Sequence, residues 1–172
     1  MPVVAVVAAG VPDLERFRRL AWWTSATTFG LILVGAATMA SDSGLACRGW
    51  PLCHAGQLWP ALVGGVVLEW GHRMGALVVT VVTLLAVRAG LRLPVGSGPW
   101  RRGSWAGLTL LALQIALGGL AIDTRLAPLV VVVHEGVGTA FLCLWVGLAV
   151  LAAERTRSPA STASRADPQT HT

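Results

Sequence analysis

The chain has 172 residues, enough for one domain, and is 55% hydrophobic with only 12% charged residues. Soluble domains carry about 25% charge, so the composition excludes a water-soluble fold and points to an integral membrane protein. The net charge of +5 is no sign of nucleic-acid binding, because the arginines flank apolar runs, which is a topology signal.

The first eleven residues, MPVVAVVAAGV, lack a basic start and are too short to span a membrane, and Pro12 closes them. They read as neither signal peptide nor span. Residues 1–19 are therefore expected to form a cytoplasmic arm, interfacial or disordered at its start. Four later segments satisfy the ~20-residue requirement for crossing a bilayer core: about residues 20–39, 62–87, 105–122 and 129–153. Apolar runs of this length predict helices, since a membrane barrel shows shorter alternating segments. The fold class expected is an all-α, four-transmembrane-helix bundle. Residues 154–172 end in SPASTASRADPQTHT, a composition that buries no core and predicts a disordered cytoplasmic tail, with His171 irrelevant.

Ten arginines flank the spans on one side: Arg16, Arg18, Arg19, Arg88, Arg92, Arg101, Arg102, Arg155, Arg157 and Arg165. The other two loops hold only Arg48 and Arg125. The positive-inside rule then puts both termini in the cytoplasm and the first and third loops outside, in the plasma membrane.

The first outer loop, residues 41–60, reads SDSGLACRGWPLCHAGQLWP. Cys47 and Cys53 enclose five residues with Gly49 and Pro51 to turn the chain. An oxidising space makes a disulfide the natural reading, worth about 2 kcal/mol in the chain-entropy model. It serves either as a structural staple or as a redox pair that passes electrons to the site below. His54 after Cys53 does not make a covalent haem site, which needs two cysteines two residues apart. Two cysteines and one histidine also lack a clear fourth ligand for zinc. Cys143, in the fourth span, is expected to be a small buried hydrophobe.

Glu69-Trp70-Gly71-His72-Arg73 places three ionisable groups near the start of the second span. Hydrocarbon tolerates such groups only with partners or a purpose, which makes the cluster a candidate functional site. Glu69 and His72, three apart, share a helix face, and Arg73 follows Glu69 by four. Arg73 is either the counter-ion of Glu69 or a clamp for a haem propionate. Glu69 either ties the helix down or, beside a haem, relays protons or stabilises developing positive charge. His134 is the other intramembrane histidine. Spans two and four are parallel, and both imidazoles fall roughly 8–10 Å below the outer surface at 1.5 Å per residue. In an up-down bundle these spans are diagonal partners, so two imidazoles at one height suit the two axial positions of a haem iron. Gly71, Gly75, Gly136 and Gly138 are expected either to leave room for a flat macrocycle or to mediate close helix packing.

On these residues the chain resembles the haem A synthase family. The resemblance covers about residues 20–153 through SGLACRGWPLCHAGQLWP, EWGHR and LGGLAIDTRLAPLVVVVHEG. It implies an oxidoreductase that converts the C8 methyl of haem O to the formyl of haem A, for cytochrome c oxidase biogenesis, with haem b as cofactor and no other metal. Carried over, His72 and His134 are the haem iron ligands, Glu69 is catalytic, and Cys47 and Cys53 form the outer disulfide. Typical members have eight helices in two similar halves, and this chain shows one, with the motif of the N-terminal, substrate-binding half. Such half-size members are expected to work as homo-oligomers, with a haem O synthase supplying substrate and a separate electron donor. Glu135, beside His134, faces either the site or a partner subunit.

Two other readings stand beside this one. One is a bis-histidine haem or quinol-linked electron-transfer membrane protein without methyl oxidation. The other is a non-catalytic assembly subunit.

Overall fold

A computed structural model describes residues 2–94 and 98–164. The elements are α1 (Pro2–Ala40), a short 3-10 turn (His54–Gly56), α2 (Val66–Arg92), α3 (Gly98–Asp123) and α4 (Pro128–Ser164). No strand occurs among the described residues. Four stretches are long and apolar enough to cross a membrane: Pro12–Ala40, Val66–Arg92, Gly98–Asp123 and Pro128–Arg157. The protein is an all-α, multi-pass membrane protein. In hydrocarbon every backbone polar group must find its partner within the segment, and a helix does that. The hydroxyls follow suit: Thr24, Ser25, Thr38 and Thr80 each donate to the carbonyl four residues earlier.

The helices overrun the spans read from hydropathy. α1 continues through Pro12 toward the N-terminus, where an arm was expected. A proline removes one helical hydrogen bond and leaves the rest of the ladder in place. α4 passes residue 153 and runs to Ser164, its continuation carried by the helix formers Ala152, Ala153, Glu154 and Arg155. Residues 165–172, the remainder of the expected disordered tail and the site of His171, lie outside the described residues. α2 instead starts late, at Val66, because Gly64 turns the chain with φ +54, a backbone state that glycine adopts without penalty.

α1 packs on α2 and α4, and α3 packs on the same two helices. Among the described residues the α2 and α4 backbones do not come close, so the two helices face each other diagonally across the bundle. At the end where α1 begins the interior is filled. Phe17, Phe141, Trp145, Leu148, Ala149 and Ala152 are buried in one cluster, with Trp100 packed on it. Small residues allow this density: a Cβ on Gly107 would lie 2.7 Å from the Trp145 ring, and one on Gly103 would lie 2.6 Å from Leu148. Cys143, expected to be buried, is exposed on the outside of the bundle. Lipid is as apolar as a core, so a thiol gains nothing by turning inward.

The α1–α2 loop covers the other end. Cys47 and Cys53 form a disulfide with Cα atoms 4.8 Å apart, and both residues are fully buried beside Trp70. Inside the ring Gly49 sits at φ +118, where a Cβ would also press 3.3 Å from the Leu52 carbonyl.

Candidate functional site

Beneath the cysteine loop the bundle opens into a cavity of about 450 Å³, lined by residues from all four helices and from the loop. That volume lies in the range of small-molecule and cofactor pockets, roughly 300–1,000 Å³. Its walls are mostly apolar, including Leu31, Met74, Leu77, Val79, Leu111 and Phe141. Thr28, Glu69, His72, Arg73, Gln114, His134 and Glu135 are among its polar lining.

His72 comes from α2 and His134 from α4, the diagonal pair, and the structure brings both to this one cavity. Each ring lies against a glycine of a neighbouring helix. A Cβ on Gly35 of α1 would sit 3.0 Å from His72 Cε1, and one on Gly118 of α3 would sit 3.5 Å from His134 Cε1. The glycines on the histidines' own helices, expected to leave room for a macrocycle or to allow close helix packing, do not lie against the rings. Gly75 lies under Leu31 and Gly138 under Gln114, while Gly71 and Gly136 face open space. The reason is geometric: an interior side chain projects onto the next helix, so the helix opposite must give way.

Nδ1 of His72 and Nδ1 of His134 are buried without a hydrogen-bond partner among the described residues. The same holds for Thr28 Oγ1 and Gln114 Oε1, both on lining residues. Buried polar groups without partners are rare in folded proteins and each calls for an explanation. Four around one cavity indicate a site shaped to hold something, and two imidazoles in apolar walls are groups chemically able to bind a metal or a haem iron. Gln114 was not singled out in the sequence, although it is an amide in the middle of an apolar run, itself a signal. Its Nε2 lies 3.5 Å from His134 Nε2.

Glu69 and Arg73 stand at the rim, one turn apart on α2. Glu69 is 4% exposed and accepts hydrogen bonds on both oxygens: from the Cys47 backbone N–H on Oε2 and from Arg73 Nη2 on Oε1. Arg73 is thus the counter-ion of Glu69 in this structure. It also donates to the carbonyls of Cys47 at 3.0 Å, Gly49 at 2.7 Å, Pro51 at 3.2 Å and Leu52 at 3.1 Å. Trp50, Pro51 and Leu52 line the cavity from above, and the Trp50 ring covers Gly119 of α3. Glu135 lines the cavity too, yet it is largely exposed on α4.

Known proteins are similar to this chain over part of their length. Haem A synthase of Symbiobacterium thermophilum is 34% identical over 130 residues, 76% of this chain and 42% of its own. Haem A synthase of Bacillus pumilus is 35% identical over 140 residues, 77% of this chain and 44% of its own. The chain is related to the haem A synthase family. The match spans a little over two fifths of the length of these haem A synthases. A protohaem IX farnesyltransferase of Haloquadratum walsbyi is also similar, 31% identical over 83 residues, 46% of this chain and 16% of its own. No family model and no solved structure matches.

Proposed function

We propose that the chain is a haem A synthase that oxidises the C8 methyl of haem O to a formyl. The observation that carries this is the pair His72 and His134, brought from diagonal helices to one apolar cavity with Glu69 fixed at its rim. Relatives named for haem A synthesis and for protohaem farnesylation fit a farnesylated haem as substrate, with a haem O synthase as the upstream partner.

In this reading His72 and His134 would hold the haem iron. Nδ1 of each ring is buried without a partner among the described residues, so each imidazole keeps a nitrogen with which it could hold an iron. Bound haem supplies the iron chemistry, whether as substrate or as a haem b cofactor. The oxidation of methyl to formyl removes four electrons overall. Dioxygen is the oxidant: two successive hydroxylations each place one oxygen atom on the carbon and reduce the other to water. Each draws two electrons from a separate donor, and the hydrated aldehyde then loses water. The chain's own residues bind, orient and exclude water. Glu69, buried and doubly hydrogen-bonded, is a fixed negative charge at the rim. It is better placed to stabilise positive charge developing on the substrate carbon than to swing as a proton carrier.

The arginine distribution supports a plasma-membrane protein with both termini cytoplasmic, so that the cysteine loop and the cavity mouth face outward. A homo-oligomer is part of the proposal. Glu135 is an exposed acid that also lines the cavity, so it faces either the bound ligand or a second subunit, and an acid in a membrane segment is there for a purpose.

Expression of the chain with a haem O source, followed by extraction and chromatography of membrane pigments, tests the function. Haem A in the extract supports methyl oxidation. Haem B alone supports the electron-transfer reading, and no bound haem supports an assembly role.

A further inference from the structure

We propose that Arg73 is a positioning residue: it clasps the cysteine loop shut over the cavity and fixes Glu69, and it does not receive a ligand carboxylate. This rests on the haem reading only for what the cavity holds.

Arg73 is 12% exposed along its side chain, and its two terminal nitrogens carry four N–H groups between them. They meet five acceptors. Nη1 donates to the carbonyls of Gly49, Pro51 and Leu52, and Nη2 donates to the Cys47 carbonyl and to Glu69 Oε1. Only the Nε–H is left, and one N–H cannot make the two-pronged contact by which a free guanidinium takes a carboxylate. The four carbonyls belong to the ring that Cys47 and Cys53 close, so the disulfide holds the acceptors in a crown and the guanidinium fills it. The other end of the ion pair grips the same loop, since Glu69 accepts from the Cys47 N–H. Loop residues Trp50, Pro51 and Leu52 form part of the cavity lining. A planar fork of donors suits a ring of carbonyls, whereas an ammonium group reaches only some of them. The disulfide and Arg73 therefore act as one device, and loss of either loosens the loop.

The test uses the full chain with Arg73→Ala, Arg73→Lys, Cys47→Ser/Cys53→Ser and the combined variant. The first readout needs no haem: the rate at which a water-soluble phosphine reduces the Cys47–Cys53 bond. Arg73→Ala should speed reduction at least about ten-fold, the loss expected from one charge-assisted hydrogen bond. Arg73→Lys should fall between, and millimolar methylguanidinium should slow reduction again in Arg73→Ala. The second readout is release of bound haem B and of its dimethyl ester, which lacks free propionates. A clasp predicts that Arg73→Ala speeds release of both equally and adds nothing once both cysteines are serine. An unchanged reduction rate, or faster release of haem B alone, would overturn the proposal and make Arg73 a propionate receptor. If the unaltered chain binds neither haem, the haem reading fails and the phosphine experiment alone decides the clasp.

Discussion

Gly35 on α1 lies so close beneath His72 on α2 that a single added methyl would stand 3.0 Å from the imidazole Cε1 and 3.4 Å from Nδ1. His72 is thereby held from behind by bare backbone. Gly118 stands in the same relation to His134, but at 3.5 Å, an ordinary contact distance. The two glycines look alike in sequence and differ in how much they tolerate.

Gly35→Ala should push the His72 ring by a few tenths of an ångström and weaken haem binding, and Gly35→Leu should abolish it. Overpacking of this kind costs about 1–3 kcal/mol. Gly118→Ala should bind nearly as well as the unaltered chain. Haem titration followed by absorption spectroscopy compares the three. Equal tolerance at both positions would show that Gly35 does not set the place of His72.

Glu69 has two separable jobs, and two substitutions divide them. Glu69→Gln keeps an oxygen for the Cys47 N–H and loses the charge. Glu69→Ala loses both and strips Arg73 of its counter-ion. Breaking one side of a buried pair costs about 3–5 kcal/mol, an upper figure here because four loop carbonyls still bind Arg73. Glu69→Ala should lower the melting temperature more than Glu69→Gln, while both should stop formation of haem A and retain bound haem. Haem A made by either variant would remove Glu69 from the chemistry.

Gln114 is the one side-chain hydrogen-bonding neighbour of His134 Nε2 among the described residues. At 3.5 Å the contact is long, so Gln114→Leu should change haem affinity by no more than about five-fold, roughly one weak hydrogen bond. It should alter the spectrum or potential of the bound haem, because the His134 ring loses a polar neighbour. Identical spectra for Gln114→Leu and the unaltered chain would make Gln114 a packing residue only.

The far end of the bundle offers a control. Gly107 lies against Trp145, where a Cβ would be 2.7 Å from the indole. Gly107→Ala should destabilise the bundle by about 1–3 kcal/mol in a denaturation experiment and leave the haem spectrum unchanged. A changed spectrum would mean that packing at the filled end reaches the cavity.

Much of this architecture can be read from one dimension. The length of the apolar runs fixes four helices, because lipid offers the backbone no other partners. Two histidines and a Glu-x-x-His-Arg cluster in hydrocarbon announce a site, since such groups are costly there. Cys47 and Cys53 foreshadow their disulfide by spacing and loop length. Helix limits were less legible: α1 and α4 run past their hydropathic spans, because hydrogen bonding along a helix does not stop where the apolar composition does.

What only the tertiary structure decided is which residue meets which across the bundle. Periodicity assigns a side chain to a face but not to a partner on the next helix. Thus Gly35 and Gly118, and not the glycines beside the histidines, make room for the rings, and Gln114 joins the site unannounced. The sequence left Arg73 open between a counter-ion and a propionate clamp. The fold pairs Arg73 with Glu69 and four loop carbonyls, because the disulfide ring arrives over α2 with its acceptors turned toward the guanidinium; that contact set is the ground of the clasp proposed above.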